Sequence, residues 1–309
     1  ERKILMKKVL FILGTTCSGK SDLAVRLAKE YNGEIISADS VQVFKEFDIG
    51  SAKITTKQMQ GIVHYGVDIK EPNEEFSVYN FIEYTKEKVD EITIKGKLPI
   101  IVGGTGLYAK ALIEGYNFGD TEKHTTFRAE LEKQIVEKGL GEVYNEFKTL
   151  YPEVAKDIDK NNAVRVIRAY EIAKFGSTKQ SSRQTKYDFL TFALSMERAK
   201  LYKKINIRVD IMLDSGLVEE VKNLYEKYGE NIQPMRAIGY KEVVSYLKDE
   251  IDFKQMSELI KQHTRNYAKR QLTFLKGISN VIYIDSSDQE KAYSQMKGEI
   301  DKWLTQKKS

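Results

Sequence analysis

The chain has 309 residues, 41% of them apolar and 31% charged, with a formal net charge of +5. That length supports one large domain or two moderate ones, and the composition is globular. No apolar stretch approaches the roughly 20 residues of a membrane span, and the single cysteine excludes an internal disulfide or a cysteine-built zinc site.

Glu1 to Lys8 carries charges with no long apolar run behind it, so no secretory signal is expected. Met6-Lys7-Lys8 reads as a natural start. A cytoplasmic protein is expected.

The first element is an apolar strand, Val9–Leu13. Gly14-Thr15-Thr16-Cys17-Ser18-Gly19-Lys20-Ser21 follows, and a helical period from Asp22 to Tyr31 comes next. Strand, Gly-rich turn and helix together make a phosphate-binding loop. Its backbone N–H groups and the helix N-terminus can cradle an oligophosphate. Lys20 can reach a terminal phosphate, and Ser21 can ligate Mg²⁺. Cys17 reads as a small residue fitted to the turn. The motif says that phosphate is gripped, not that phosphate is transferred.

A second strand is expected at Glu34–Ala38, with Asp39 just past it. Ligands gather outside the carboxyl ends of such strands, so Asp39 and Lys20 should share a crevice. A carboxylate there can take a proton, hold Mg²⁺ through water, or cap the next turn. A helix over Val78–Lys95 leads to a third strand, Leu98–Val102. That strand ends in Gly103-Gly104-Thr105-Gly106, which is a tight turn or a second close approach to ligand.

From about Phe118 to Asp188 the pattern is helical and polar. Helices are expected at Arg128–Lys138, Leu140–Tyr151 and Ala163–Lys174. A strand at Phe189–Met196 then restores the alternation. One long helix is expected over Tyr202–Lys227, with Ile205, Val209, Met212, Leu213 and Leu217 on its apolar side. Arg208 in this helix either pairs with a carboxylate or stabilises departing phosphate charge.

Lys261 to Lys276 holds five basic residues and no acid. Lys261, Arg265 and Lys269 recur at i, i+4 and line one helix face. Tyr267, Ala268, Gln271 and Leu275 point toward a face that can pack. The basic face is either solvated or meets a polyanion. A last strand is expected at Val281–Ile284, and Trp303 should pack a terminal helix. The three histidines, His64, His124 and His263, show no metal spacing.

The alternation predicts an α/β fold: a P-loop NTPase-like, mostly parallel sheet flanked by helices, with an inserted helical subdomain and a helix-rich C-terminal region. Residues 1–117 and 189–309 should form the core, and 118–188 the insertion.

The motifs, taken in order, resemble the tRNA dimethylallyltransferase family, in its shorter bacterial form. The resemblance runs over nearly the whole chain. It includes the phosphate loop, Ser37 to Val43, Asp48 to Lys53, Val102 to Tyr108, Arg165 to Ala169, Asn206 to Val221, Ala237 to Glu242, and Thr264 to Thr273. Such enzymes move a dimethylallyl group from its diphosphate to the exocyclic N6 of adenosine 37 in tRNA. The resemblance implies a diphosphate on Gly14 to Ser21, with Lys20, Arg208 and Mg²⁺ at Ser21 stabilising the leaving group. It makes Asp39 the general base, with Thr105 beside the adenosine or the diphosphate.

For tRNA contacts the resemblance implies Asp39, Ser40, Val41, Gln42, Thr105, Arg128, Arg165, Arg168, Arg265, Lys269 and Arg270. The helical insertion would grip the anticodon stem-loop. A cytoplasmic monomer without membrane contact is expected. The chain departs from the family's pattern at several points. Thr15 stands where Pro is usual, Cys17 where Ala is common, Asn162 where Asp is usual, and Val164 where Arg or Gln is usual. Phe274 replaces the usual Trp. An isopentenyltransferase for free adenine nucleotides and a small-molecule kinase are the competing readings.

Overall fold

The run Val9 to Leu13 forms the middle of β1 (Lys7–Gly14), and all five side chains are buried. β1 pairs in parallel on both edges, and its side chains are buried on both faces, so an uninterrupted apolar run suits it. The structure, a computed structural model, describes residues 6–115, 124–176 and 186–306. The chain divides into two compact units, Glu1–Ile113 with Thr185–Ser309, and Glu114–Gln184. The expected boundary at 117 and 118 lies outside the described residues, as does the segment before Met6.

In the larger unit the phosphate loop leads into α1 (Lys20–Glu30) and β2 (Gly33–Ala38). The short α2 (Thr56–Met59) and β3 (His64–Tyr65) follow. Then come α3 (Val78–Ile94), β4 (Leu98–Gly103) and α4 (Gly106–Ile113). β3 is two residues long and carries no period that a sequence reading could detect.

The smaller unit is helical. It contains α5 (Thr125–Lys138), α6 (Leu140–Leu150), the single turn α7 (Pro152–Ala155) and α8 (Ala163–Phe175). Phe127, Leu131, Val143, Phe147, Val166 and Tyr170 form its core. Asn162 caps α8 by accepting the Arg165 N–H at 3.2 Å, so the Asn performs the capping that an Asp would. Glu171 is buried and pairs with Arg128 and Arg168, each at 2.6 Å. Burial opposes the Glu171 charge, but the two guanidiniums outweigh it and hold the carboxyl below its usual range.

The larger unit resumes with β5 (Tyr187–Ser195) and α9 (Arg198–Asp214). Here the structure corrects the single long helix expected over Tyr202–Lys227. α9 stops at Asp214, and α10 (Leu217–Tyr228) starts after Gly216, whose φ is +99°. Glycine adopts that left-handed conformation without a Cβ penalty. The apolar rhythm crosses the break because both helices bury a face: Leu201, Ile205 and Val209 in α9, then Leu217, Val221 and Leu224 in α10.

A 3₁₀ turn at Gln233–Arg236 leads to α11 (Tyr240–Leu247) and α12 (Phe253–Leu275). β6 (Val281–Asp285) and α13 (Gln289–Thr305) close the unit. Trp303 is buried in α13 and donates its ring N–H to Asp188 at 3.1 Å. Among the described residues no helix is long and apolar enough to cross a membrane.

The strand order is β3-β2-β4-β1-β5-β6, and every pairing is parallel. β2 and β3 lie on the β4 side of β1, and β5 and β6 on the other. The order therefore switches beside β1, where open parallel sheets bind ligands at their carboxyl ends. Gly14, Ala38 and Gly103 end three neighbouring strands there.

Candidate active site

The phosphate loop is held in a shape that leaves polar groups unused. Cys17 has φ +61° and Gly19 has φ +80°. A Cβ on Gly19 would fall 2.6 Å from the Gln289 amide, so the glycine serves both conformation and space. Cys17 is buried against Met196, Leu201, Ile205 and Ala268. Its thiol fills an apolar contact, which agrees with the reading of a small turn residue. The Thr15 and Ser18 hydroxyls are buried with no hydrogen-bond partner. Unpaired buried hydroxyls are costly, and here they flank a loop shaped for an anion.

Lys20 donates to the Thr15 carbonyl at 3.2 Å. Burial pushes its pKa down, and Arg208 nearby adds to that, while Asp39 and Cys17 act in the opposite sense. Two cations thus share the loop without full compensation, which favours a polyanionic ligand. Lys20, Ser21, Asp39, Ser40, Val41, Gln42 and Arg208 all line one cavity of about 500 Å³, together with Thr16 to Gly19. Gly14 and Thr15 stand at the root of the loop, outside that lining.

Asp39 follows β2 directly. Its Oδ1 accepts the N–H groups of Val41 at 2.9 Å and Gln42 at 3.2 Å. The turn-forming role left open by the sequence is therefore real. It does not compete with a chemical role, because the anchored carboxylate still lines the cavity. Gln42 turns its side-chain N–H₂ toward the Ser51 and Ala52 carbonyls, each at 3.2 Å.

Thr105 is not among the residues lining the cavity, but its hydroxyl influences Tyr267. Tyr267 does line the cavity. Burial and the Asp39 charge push its pKa up to about 12, against the hydrogen bonds of Thr105 and Gln271 and the charge of Arg270.

Gln271, expected on a packing face, instead bonds the backbone of both glycine-rich turns. Its Oε1 accepts the Thr16 N–H at 2.9 Å, and its N–H₂ donates to the Gly104 carbonyl at 2.9 Å. One side chain of α12 therefore ties together both glycine-rich turns. Gly104 makes room for it: a Cβ there would lie 2.2 Å from the Gln271 nitrogen. The available signal was an amide at a position whose helical neighbours Ala268 and Leu275 are buried.

The basic face of α12 is not uniform. Lys261 pairs with Asp210 of α9 at 2.7 Å, and Arg265 donates to Asn206 of α9 at 2.7 Å. This half of the expected stripe is committed to helix packing. Lys269 and Arg270 are exposed. Arg270 borders both the main cavity and a shallow depression shared with Lys269, Thr273 and Phe274. In the helical unit Arg165 is exposed, whereas Arg128 and Arg168 are tied to Glu171.

Comparison with known proteins adds to this geometry. The family model described as IPP transferase matches residues 42–277, and one described as Isopentenyl transferase matches residues 7–70. A tRNA dimethylallyltransferase of Bacillus cereus is 43% identical over 295 residues, covering 94% of this chain and 93% of that protein. The crystal structure of a full-length tRNA isopentenylpyrophosphate transferase from Bacillus halodurans is similar, with a TM-score of 0.73 and 38% identity, covering 96% of this chain and 97% of the other. A eukaryotic dimethylallyltransferase acting on tRNA reaches a TM-score of 0.81 at 28% identity, covering 97% of this chain and 80% of the other. With a family model matching residues 42–277 and a relative 43% identical over 94% of its length, the chain belongs to the IPP transferase family.

Proposed function

We propose that the chain transfers the dimethylallyl group of dimethylallyl diphosphate to N6 of adenosine 37 in tRNA and releases diphosphate. One observation carries the reading: a cavity with Lys20 and Arg208 at a phosphate loop also holds the backbone-anchored carboxylate of Asp39.

The chemistry follows from those charges. The C1–O bond of the prenyl diphosphate breaks, and a bond from N6 to C1 forms. Charge grows on the departing diphosphate, where the loop N–H groups, Lys20 and Arg208 stabilise it. N6 must lose a proton, and Asp39 is the acceptor.

Mg²⁺ fits the donors present. The Ser21 hydroxyl and the Asp39 carboxylate are hard oxygen donors lining the same cavity. Among the described residues no cluster of three His, Cys, Asp or Glu side chains could cage a metal, which suits an ion held mainly by substrate phosphate and water. When bound, Mg²⁺ would supply positive charge to the leaving group.

The acceptor base is stacked in an anticodon loop and must be extruded at a cost of about a few kcal/mol. Ser40, Val41 and Gln42 line the cavity, and in this reading they would meet the extruded base. Lys269 and Arg270 are free to meet phosphates, with Arg165 in the helical unit as a further contact. Arg128 and Arg168 keep exposed edges beyond Glu171, and Arg265 contributes through its hold on α9. A tRNA substrate supports a cytoplasmic site of action.

The test is incubation with dimethylallyl diphosphate, Mg²⁺ and an anticodon stem-loop carrying three consecutive adenosines. The expected product gains one dimethylallyl group at the middle adenosine. Equal turnover of AMP would shift the acceptor to free nucleotides, and ATP-dependent phosphorylation without prenylation would identify a kinase.

A further inference from the structure

Three stretches of the motifs take no part in the chemistry above: Asp48 to Lys53, the α10 end of the Asn206 to Val221 motif, and Ala237 to Glu242. They meet at one carboxylate. Glu220 in α10 accepts the backbone N–H groups of Asp48 at 3.2 Å, Ile49 at 2.7 Å and Gly50 at 3.1 Å. It also accepts the Tyr240 hydroxyl of α11 at 2.8 Å. Four donors from two other segments converge on this side chain, in charge-assisted bonds that are stronger than neutral ones.

The turn so gripped has little freedom. A Cβ on Gly50 would lie 2.5 Å from the Tyr240 ring, so the turn is seated directly on that ring. Its far end is held by Lys53, which donates to the Phe44 carbonyl at 2.8 Å and to Asp48 at 2.6 Å. Gly50, Ser51 and Ala52 line the cavity, whereas Glu220 does not. The Ser51 and Ala52 carbonyls accept from the Gln42 side chain, and the Gln42 backbone N–H binds Asp39. Hydrogen bonds joined by short stretches of chain therefore link α10 to the anchored carboxylate.

We propose that Glu220 is a positioning residue for prenyl transfer: it seats the Gly50 turn, and the turn sets the Gln42 amide and the Asp39 carboxylate toward the acceptor base. The inference rests on the reading under Proposed function. Glu220→Gln preserves volume but sets an amide N–H₂ against backbone N–H donors, so the turn loses part of its grip. The phosphate loop shares none of these bonds, and its hold on diphosphate should be unchanged.

The test uses the full chain with dimethylallyl diphosphate, Mg²⁺ and the stem-loop. Glu220→Gln should lower kcat by about 10- to 100-fold, the usual effect of losing an outer support of a reactive group. The KM for dimethylallyl diphosphate should stay within roughly twofold. Tyr240→Phe removes a single donor and should act in the same direction, more weakly. The double variant Glu220→Gln with Gln42→Ala should be no slower than the slower single variant, because coupled residues are not additive.

Unchanged kcat in both Glu220→Gln and Tyr240→Phe would overturn the proposal. So would multiplying effects in the double variant, or a parallel loss of diphosphate binding, which marks a merely structural role. If Glu220→Gln does not fold, the same cycle run with Tyr240→Phe carries the test. Wild-type protein that prenylates no stem-loop would instead sink the functional reading itself.

Discussion

The Gln271 side chain accepts the Thr16 backbone N–H and donates to the Gly104 carbonyl, both at 2.9 Å. A helix that carries exposed Lys269 and Arg270 is thereby fastened to the glycine-rich loop of Gly14 to Ser21. Replacing Gln271 by Leu leaves both backbone groups without this partner, at a cost of about 1–3 kcal/mol. Thermal unfolding should shift down accordingly. The KM for dimethylallyl diphosphate should rise, because the loop loses its fixed shape. An unchanged KM would show that the phosphate loop holds its form without α12.

Asp39→Asn separates the two duties of Asp39. The Asn oxygen can still accept the Val41 and Gln42 N–H groups that Asp39 Oδ1 binds. It cannot act as a general base, so transfer should fall by about 10²–10⁴-fold. Binding of diphosphate and of the stem-loop should survive. Asp39→Ala removes the turn anchor as well and should also weaken stem-loop binding. Transfer rates and stem-loop affinity, measured on both variants, distinguish the roles.

Lys20 carries a conflict between stability and function. Its pKa in the folded protein lies below the ordinary 10.5, chiefly through burial and then through Arg208. The unfolded chain therefore binds more protons between the lowered value and the ordinary one, so stability rises with pH through that window. Below it, the cost of the buried cation is fully present. Lys20→Met should raise the unfolding temperature at neutral pH while cutting kcat/KM by about 10²-fold or more. Added inorganic diphosphate should stabilise the wild type and not the variant. A calorimetric comparison at two pH values checks both signs.

The basic helix should show a graded salt response. Lys269→Ala and Arg270→Ala should each lessen the salt dependence of stem-loop binding, by roughly 0.7 in the log–log slope per lost phosphate contact with single-stranded RNA. Lys261→Ala should leave that slope unchanged, because its ammonium is paired with Asp210 and Glu258. Its effect should appear in stability instead. Equal slope changes for all three would mean that the α9 contacts open on binding.

The order of strands and helices was legible because burial imposes periodicity. β1 is apolar through its middle since both of its faces are buried, and Asp22 to Tyr31 shows a helical period since one face of α1 packs. The phosphate loop was legible because its chemistry is local: eight consecutive residues supply the turn, the N–H groups, the lysine and the hydroxyl. The Gly216 break was misread because periodicity records which faces are buried, not whether the backbone between them is continuous. Lys261 and Arg265 looked like part of a free basic stripe, since spacing alone does not reveal that α9 offers Asp210 and Asn206 to them.

By itself, then, the sequence determined the alternation of elements, the local form of the glycine-rich loop and the set of charged groups around it. Only the tertiary structure decided which of those charges remain free, that Gln271 joins two turns far apart in the chain, and that Glu220 gathers three motifs onto one carboxylate. Those relationships depend on hydrogen bonds between distant segments, and such bonds leave no period and no composition signal in the chain.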